Sequence, residues 1–189
     1  SIDFHLEQVL RLVPQAFLLL YLMARFDGLE SYVGVGKPAR RDLFRAVLLA
    51  LAALALEALS VGLLSLVAGT VENPLLSGVH GAQDPLWALV PAIAISCFSI
   101  GYGEELFFRI YLPKKLVDTG LSELLACVIS VAVFAAGHGA QGVGGLVTAV
   151  FLGALFIYRR TGGGTLHELA WAHALYDMVG MFLAVFVTG

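Results

Sequence analysis

Long apolar runs, broken by short polar stretches, dominate this chain. A helix needs about twenty mostly apolar residues to cross the hydrocarbon core of a bilayer. By that measure the pattern predicts six membrane-spanning helices, near residues 8–26, 45–69, 86–112, 121–138, 142–158 and 165–187. Barrel strands are excluded because no run alternates with a period of two, and lipid cannot satisfy an open backbone. We therefore expect an all-α, polytopic membrane helix bundle of about six transmembrane helices, forming a single membrane domain over residues 1–189.

Two features of this pattern are irregular. The first span is weak, because Glu7 and Arg11 lie at its head. The fourth and fifth spans are short, and they meet at a glycine-rich segment, residues 137–145, which we predict to be a turn. The other connections are also short and the chain has no internal repeat, so we expect no inserted soluble domain.

The positions of lysine and arginine predict the topology. Three connections carry basic residues: Arg25, Lys37, Arg40, Arg41 and Arg45 after span one, Lys114 and Lys115 after span three, and Arg159 and Arg160 after span five. The connections near residues 70–85 and 139–141 carry none, and neither does the C-terminal end. The positive-inside rule therefore places the basic connections in the cytoplasm and both termini outside, with Arg11 as the exception.

The composition agrees with a membrane protein. Hydrophobic residues make up 59% of the chain and charged residues 13%, whereas soluble domains carry about 25% charged residues. The net charge of −3 provides no basic surface for nucleic acid. Cys97 and Cys127 lie in apolar runs, where we expect packed hydrophobic side chains and no disulfide. We expect a multi-pass protein of the cell membrane, specifically a prokaryotic plasma membrane. We expect no cleaved signal peptide, because the first apolar run has no small-residue cleavage site.

Ionisable residues inside the predicted spans mark the candidate functional site. Such residues are costly in lipid and are functional candidates by default. The spans contain several such residues away from their ends or in short clusters: Glu57, Glu104, Glu105, Arg109, His138, His173 and Asp177. Most of them fall in three short clusters on separate helices. An acid pair and two histidines together in lipid indicate catalysis more strongly than any one cluster alone.

The first cluster is Glu104-Glu105-Leu-Phe-Phe-Arg109. Glu105 and Arg109 are i,i+4 neighbours in the favourable orientation for a helical ion pair. Glu104 lies five residues from Arg109 and points to another face. We therefore predict that Arg109 neutralises Glu105 and leaves Glu104 unpaired in a low dielectric, where it can act as a general base. The alternative is a purely structural ion-pair cluster.

The other two clusters contain the histidines. His138 follows Phe134-Ala-Ala-Gly at the end of span four, where a histidine is as often an interfacial residue as a catalytic one. His173 and Asp177 lie one helical turn apart and share a face. This pair suits proton transfer or hydrogen bonding to a reacting group, although it could also simply tie two helices together.

The three clusters together resemble a known family. Glu-Glu-x-x-x-Arg, Phe-x-x-x-His and His-x-x-x-Asn/Asp, in this order on successive helices, are similar to the motifs of the CPBP family. These are the CAAX prenyl-protease and bacteriocin-processing intramembrane glutamic proteases, also described as the Abi domain. The resemblance covers residues 86–182, where we expect the catalytic core. It implies hydrolysis of a peptide bond in a membrane-anchored protein or peptide, with no metal and no cofactor.

The resemblance also implies a role for each motif residue. Glu104 and His138 would activate water, Glu105 and Arg109 would support the site, and His173 and Asp177 would hold the oxyanion. The oxyanion of peptide hydrolysis needs donors at about 2.7–3.1 Å. The ring nitrogens of both histidines and backbone amides of the glycine-rich turn could supply them.

The chain departs from the family pattern in two respects. Asp177 stands where asparagine is more usual, and the chain has fewer predicted helices than the eukaryotic-type CAAX proteases. The second departure puts a prenylated substrate in doubt, and C-terminal sorting tails and leader peptides remain alternatives. An ionised Asp177 only accepts hydrogen bonds, so it cannot hold an oxyanion itself. Either it is protonated, or it accepts a hydrogen bond from a charged His173, and we favour the second.

Two other functions remain open. Glu104, His138, His173 and Asp177 could ligate zinc, as three protein ligands and a water do in catalytic zinc sites, although Arg109 would place positive charge near the cation. The chain could also be a non-catalytic membrane protein that binds a peptide, of the immunity type, or a small transporter. Transporters tend to contain repeats, which this chain lacks.

The remaining polar residues carry weaker expectations. We expect Glu57 to face the bundle interior, His167 and Glu168 to lie at the cytoplasmic interface, and residues 162–164 to form a flexible turn. Glu104 and His173 lie about 12 Å from their cytoplasmic helix ends, but His138 lies about 20 Å up its helix. We resolve this difference by expecting the glycine-rich turn to lie below the outer surface, covered by protein.

Overall fold

A computed structural model describes residues 1–69 and 84–186, and all of its regular structure is helical. Seven α-helices follow one another: α1 Ile2–Leu22, α2 Arg40–Ala68, α3 Leu86–Glu105, α4 Leu112–Asp118, α5 Glu123–Gly137, α6 Gly142–Thr161 and α7 Leu166–Phe186. A π-helical turn, Met23–Asp27, extends α1, and another, Leu106–Tyr111, joins α3 to α4. Single 3₁₀ turns occupy Leu29–Ser31 and Gly139–Gln141. The predicted all-α bundle is confirmed.

The described residues contain five helical segments that are long and apolar enough to cross a membrane: Ile2–Asp27, Arg40–Val67, Leu86–Asp118, Gly139–Thr161 and Leu166–Phe186. One further apolar helix, α5, is shorter: it has 15 residues and is about 22 Å long at 1.5 Å per residue. Large apolar side chains such as Leu66 and Trp87 are exposed on the outside of the bundle, where lipid is the matching solvent. The chain is a multi-pass membrane protein.

The region of the glycine-rich turn differs from the prediction. Both helices that flank this turn were expected to be short, but only α5 is, whereas α6 has 20 residues and begins at Gly142. Gly142 has a φ of 78°, a conformation open to glycine, which lets the chain turn directly into α6. Glycines 144 and 145 are therefore the first turn of a helix. The expected protein cover is also wrong for the described residues, because Gly139 is exposed and a Cβ there would have no atom within 4 Å.

Helix α7 lies at the centre of the bundle, between α2 and α3. Helix α1 packs on the outer side of α3, while α6 packs against α2 and α5. In the main core, mostly small residues of α2 pack against larger side chains of α6 and α7. The buried residues of this core are Ala46, Leu49, Ala50 and Ala53 on α2, Leu152 and Phe156 on α6, and Leu169 and Ala172 on α7. Small side chains allow membrane helices to approach closely, and van der Waals contact then holds them together.

The contact between α3 and α7 is especially close at Gly101. A Cβ atom at this position would lie 2.4 Å from the carbonyl oxygen of Ala170 and 3.1 Å from the amide nitrogen of Ala174. Real side chains cannot approach backbone atoms so closely, so this crossing requires glycine. It lies directly before Glu104 and Glu105 on α3, and Ala170 and Ala174 flank His173 on α7. The crossing therefore brings the first and third sequence clusters together.

The three basic connections meet at one end of the bundle. Lys115 contacts Asp27 at 2.5 Å, and Arg160 donates to the carbonyl of Val33. His167 bonds the Gly36 carbonyl through Nε2 at 2.7 Å. Burial and the Asp27 carboxylate raise the pKa of Tyr32 above its ordinary value, so this hydroxyl stays a donor to Asp27. This arrangement agrees with placing all three connections on one side of the membrane.

Glu168 differs from an ordinary interface residue, because it is fully buried and paired with Arg159. Most of the predicted outer connection near residues 70–85, and residue 187 of the sixth predicted span, lie outside the described residues.

Candidate active site

The acid pair lies where α3 changes its helical period. Glu104 and Glu105 are the last residues of α3, and the π-helical turn Leu106–Tyr111 follows them and contains Arg109. Single π turns within α-helices occur frequently at functional sites. The wider turn frees backbone carbonyls, which another group must satisfy in lipid. The hydroxyl of Ser130 on α5 donates to the Phe108 carbonyl, and so ties α5 to the turn.

Glu105 is fully buried and joins two residues of the site. Its Oε2 atom lies 3.4 Å from Nε of Arg109, which is the predicted i,i+4 contact. Its Oε1 atom lies 2.8 Å from Nδ1 of His173 on α7. An ionised carboxylate only accepts hydrogen bonds, so Nδ1 of His173 donates this bond. Sequence spacing could not indicate this contact between separate helices.

His173 directs its other nitrogen toward two further carboxylates. Nε2 lies 3.6 Å from Oδ2 of Asp177 and 3.8 Å from Oε2 of Glu104. Both distances exceed a good hydrogen bond, which leaves these carboxylates accessible to another small group. The rings of Phe134 and Phe156 stand nearly perpendicular to the imidazole, with centroids 6.3 Å and 5.8 Å away. These rings restrict the orientation of the imidazole.

Glu104 differs from Glu105 in its surroundings. Its side chain is 24% exposed, whereas that of Glu105 is 0% exposed. Its Oε2 atom is buried and has no hydrogen-bond partner among the described residues. An unsatisfied buried polar atom is unusual in folded proteins and is often associated with catalysis or a bound water.

Arg109 supplies the positive charge of the site. Its side chain is 1% exposed, and its guanidinium lies over the ring of Phe134, 4.2 Å from the centroid. Nε and Nη1 have no hydrogen-bond partner among the described atoms, so the ion pair with Glu105 and the aromatic face provide its main stabilisation. Phe134 therefore contacts the cation as well as both histidines of the site.

His138 caps α5 on the other side of Phe134. Its Nδ1 lies 2.8 Å from the Phe134 carbonyl, to which it donates, and the two rings are tilted at 47° to each other, with 4.5 Å between centroids. Nε2 is left available for another partner. Within residues 1–69 and 84–186, no contact under 4 Å joins His138 to a carboxylate. The structure therefore brings Glu104, Glu105, Arg109, His173 and Asp177 together and places His138 beside them, without a direct contact to Glu104.

A cavity of about 280 Å³ borders the site at His173 and Asp177, whereas Glu104 does not line it. Helices α2, α5, α6 and α7 form its walls, and His138, His173, Asp177 and Glu57 line it. Gly144, Gly145 and Gly180 also line it, so part of the wall is backbone. The volume is near the lower limit of ligand pockets and would hold a short stretch of peptide. The position of Glu57 within an apolar span predicts that it faces the bundle interior, and in the structure it lines this cavity.

Comparison with known proteins indicates the family of this chain. The family model described as "Type II CAAX prenyl endopeptidase Rce1-like" matches residues 85–179, half of the chain. The chain belongs to the Rce1-like family. The family resemblance stated from the sequence motifs is thereby confirmed. No curated protein and no solved structure gives a match.

Membership of the Rce1-like family implies proteolytic activity at a membrane. The matched segment runs from the start of α3 into α7 and contains all seven motif residues, whereas Glu57 lies outside it. Among the described residues, no group of three or more His, Cys, Asp or Glu side chains has a geometry that could hold a metal ion.

Proposed function

We propose that this Rce1-like protein is an intramembrane endopeptidase in which Glu104 activates the attacking water. The observation that carries the proposal is that the Glu104 side chain is 24% exposed and that its Oε2 atom, 3.8 Å from His173 Nε2, has no hydrogen bond among the described residues. Oε2 of Glu105 also lacks a hydrogen bond, but it lies 3.4 Å from Nε of Arg109 and the side chain of Glu105 is 0% exposed. Glu104 is therefore the member of the acid pair that water can reach.

Hydrolysis begins with a water bound between Glu104 and the substrate. Glu104 takes one proton as the water oxygen attacks the scissile carbonyl carbon, and the carbonyl π electrons move to oxygen. The resulting tetrahedral oxyanion needs preorganised donors. Collapse of this intermediate breaks the C–N bond, and protonated Glu104 passes its proton to the leaving nitrogen. The products are one peptide with a new carboxyl group and one with a new amino group.

His173 is the first candidate donor to the oxyanion. Both of its ring nitrogens face carboxylates, Nδ1 toward Glu105 and Nε2 toward Asp177 and Glu104. An imidazole can donate hydrogen bonds from both nitrogens only when it is an imidazolium. Because both nitrogens of His173 face acceptors, the site favours that form. Asp177 then acts by holding the imidazolium and does not touch the oxyanion. His138 Nε2, on the same cavity, provides a second contact to substrate or water.

The substrate class follows from the location of the site in a membrane bundle. The cavity lies among membrane-spanning helices, so the substrate is a protein or peptide that is itself associated with the membrane. Prenylated C-termini, sorting tails and leader peptides all meet this requirement.

Comparative proteomics tests the proposal directly. Membranes from cells that express either the wild-type protein or Glu104→Ala should differ in one or a few uncut precursors, each converted to a new N-terminus only by the wild type. Identical sets of termini would contradict the proposal. Purified protein, assayed with and without a chelator, also separates this mechanism from zinc catalysis. Activity that is lost to chelator and restored by zinc would favour the metal mechanism.

A further inference from the structure

Glu57 is an ionisable residue of the cavity to which the mechanism assigns no role. It lies on α2, in a run of alanines and leucines, and lines the cavity together with Val61. A carboxyl group at this position in a membrane helix is costly, so it is a functional candidate. It also lies outside residues 85–179, the segment that matches the family.

The surroundings of Glu57 hold no lysine or arginine among the described residues that line the cavity, and Arg109 lies behind Phe134 against Glu105. The Tyr176 side chain on α7 interacts with the Glu57 carboxyl group, but a phenol is neutral. His173 also lines the cavity, but it already faces three carboxylates, those of Glu105, Glu104 and Asp177, which balance its charge within the site. Glu57 therefore has no cationic partner of its own.

Such a cavity favours a cationic ligand. A cation entering it would offset the cost of a carboxylate in a low dielectric, and the planar carboxylate would be its specific partner. His173 lines the same cavity as Glu57 and lies 3.8 Å from Glu104, so one peptide could place a cation at Glu57 and its scissile bond near Glu104.

We propose that Glu57 and Tyr176 form a subsite for a basic side chain, lysine or arginine, of the peptide substrate. This inference rests on the proposed function, since it places the subsite on a peptide that is cleaved at Glu104. Glu57 would thus determine which membrane-associated sequences are processed. The alternative is that Glu57 and Tyr176 only tie α2 to α7.

Peptide binding to an inactive protein tests the subsite apart from catalysis. In Glu104→Gln, dissociation constants are measured for fluorescent peptides that carry lysine or norleucine at each position in turn. These two side chains have similar length but differ in charge. We expect lysine to bind about tenfold more tightly than norleucine at one position, as a partly buried ion pair allows. In Glu104→Gln/Glu57→Gln this ratio should fall to about one.

Glu57→Gln retains a group that can bond Tyr176, so its folding should be little affected, and detergent melting curves check this. Glu123→Gln provides the matched control, because Glu123 is exposed in the first turn of α5, away from the cavity. In that background the lysine preference should persist. Equal binding of lysine and norleucine at every position, no binding of any peptide, or a preference that survives Glu57→Gln would each overturn the subsite. A lysine preference that depends on Glu57 in a protein whose wild type cleaves none of these peptides would support the subsite and count against the proposed protease.

Discussion

Nδ1 of His173 lies 2.8 Å from Oε1 of Glu105, although 68 residues separate the two in the chain. This bond joins α3 to α7 at the level where Arg109 also meets Glu105. One carboxylate thereby fixes the orientation of an imidazole and neutralises a guanidinium. The second carboxylate of the pair, Glu104, has no such partners and is 24% exposed, against 0% for Glu105. The two adjacent glutamates therefore have different surroundings, and they should respond differently to the same substitution.

Glu105→Gln should destabilise the protein. It leaves the buried Arg109 without a counter-charge, and removing one partner of a buried ion pair costs about 3–5 kcal/mol. Thermal unfolding of the purified variant in detergent, followed by intrinsic fluorescence, should show a clearly lower midpoint than that of the wild type. An unchanged midpoint would mean that Arg109 finds its stabilisation elsewhere, from the ring of Phe134 for example.

Glu104→Gln should abolish turnover and leave the melting midpoint near that of the wild type. The amide cannot take a proton from water, and loss of a general base costs about 10²–10⁴-fold in rate. Cleavage of an identified substrate, assayed at equal amounts of folded protein, measures the loss. Near wild-type cleavage by this variant would show that another group is the base.

Asp177→Asn should lower the rate about 10- to 100-fold, because it removes a carboxylate charge from beside His173 in a buried site. An amide cannot balance the charge of the imidazolium of His173, whose Nε2 lies 3.6 Å from Asp177. The pH–rate profile should change on its alkaline side, where an imidazolium loses its proton. Full activity with an unchanged profile would instead favour a protonated Asp177, because asparagine would then replace one neutral donor by another.

The parts of the site that lie on one helix were predictable from sequence, because helical spacing alone determines them. The contact of Glu105 with Arg109 and the proximity of His173 to Asp177 both follow from i,i+4 spacing. The bond between His173 and Glu105 was not predictable. It depends on the distance between α3 and α7, which is set by backbone contact at a single glycine.

The start of α6 and the surroundings of Glu57 on α2 were only partly predictable from the sequence. The three glycines at 142, 144 and 145 resemble a turn by composition, but helix α6 begins at Gly142, because the preceding 3₁₀ turn already reverses the chain. The intramembrane location of Glu57 indicated an inward-facing side chain. Its place on the cavity depends on how α2 and α7 pack, and a single sequence does not encode that packing in any periodic pattern.

Gly101→Ala should reduce catalysis through the position of α3. The new methyl group would lie 2.4 Å from the Ala170 carbonyl oxygen, so the helices must separate, and Glu104 would move away from His173. A displacement of about 1 Å in an active site can cost about 10²-fold in rate. We expect kcat to fall by that order with a smaller change in KM. Gly103→Ala is the matched control, because its Cβ would meet only the Leu12 side chain, at 3.7 Å. Equal rates in the two variants would show that the crossing does not position the acid pair.

The short α5 leads to a prediction about depth in the membrane. Its 15 residues extend about 22 Å, less than the hydrocarbon core of about 30 Å. If α5 starts at the cytoplasmic surface, where the basic connections lie, the turn Gly139–Gln141 ends below the outer surface.

A cysteine at Gly139, in a background without Cys97 and Cys127, should therefore react slowly with a membrane-impermeant thiol reagent added outside. Slow reaction here has to come from depth in the bilayer, since no described residue covers Gly139. A cysteine at Gly81, in the connection predicted to face outward, is the fast control. Labelling at position 139 as fast as at position 81 would place the turn, and His138 beside it, at the aqueous surface. In that case the cavity that His138 lines would open to the aqueous phase outside the membrane.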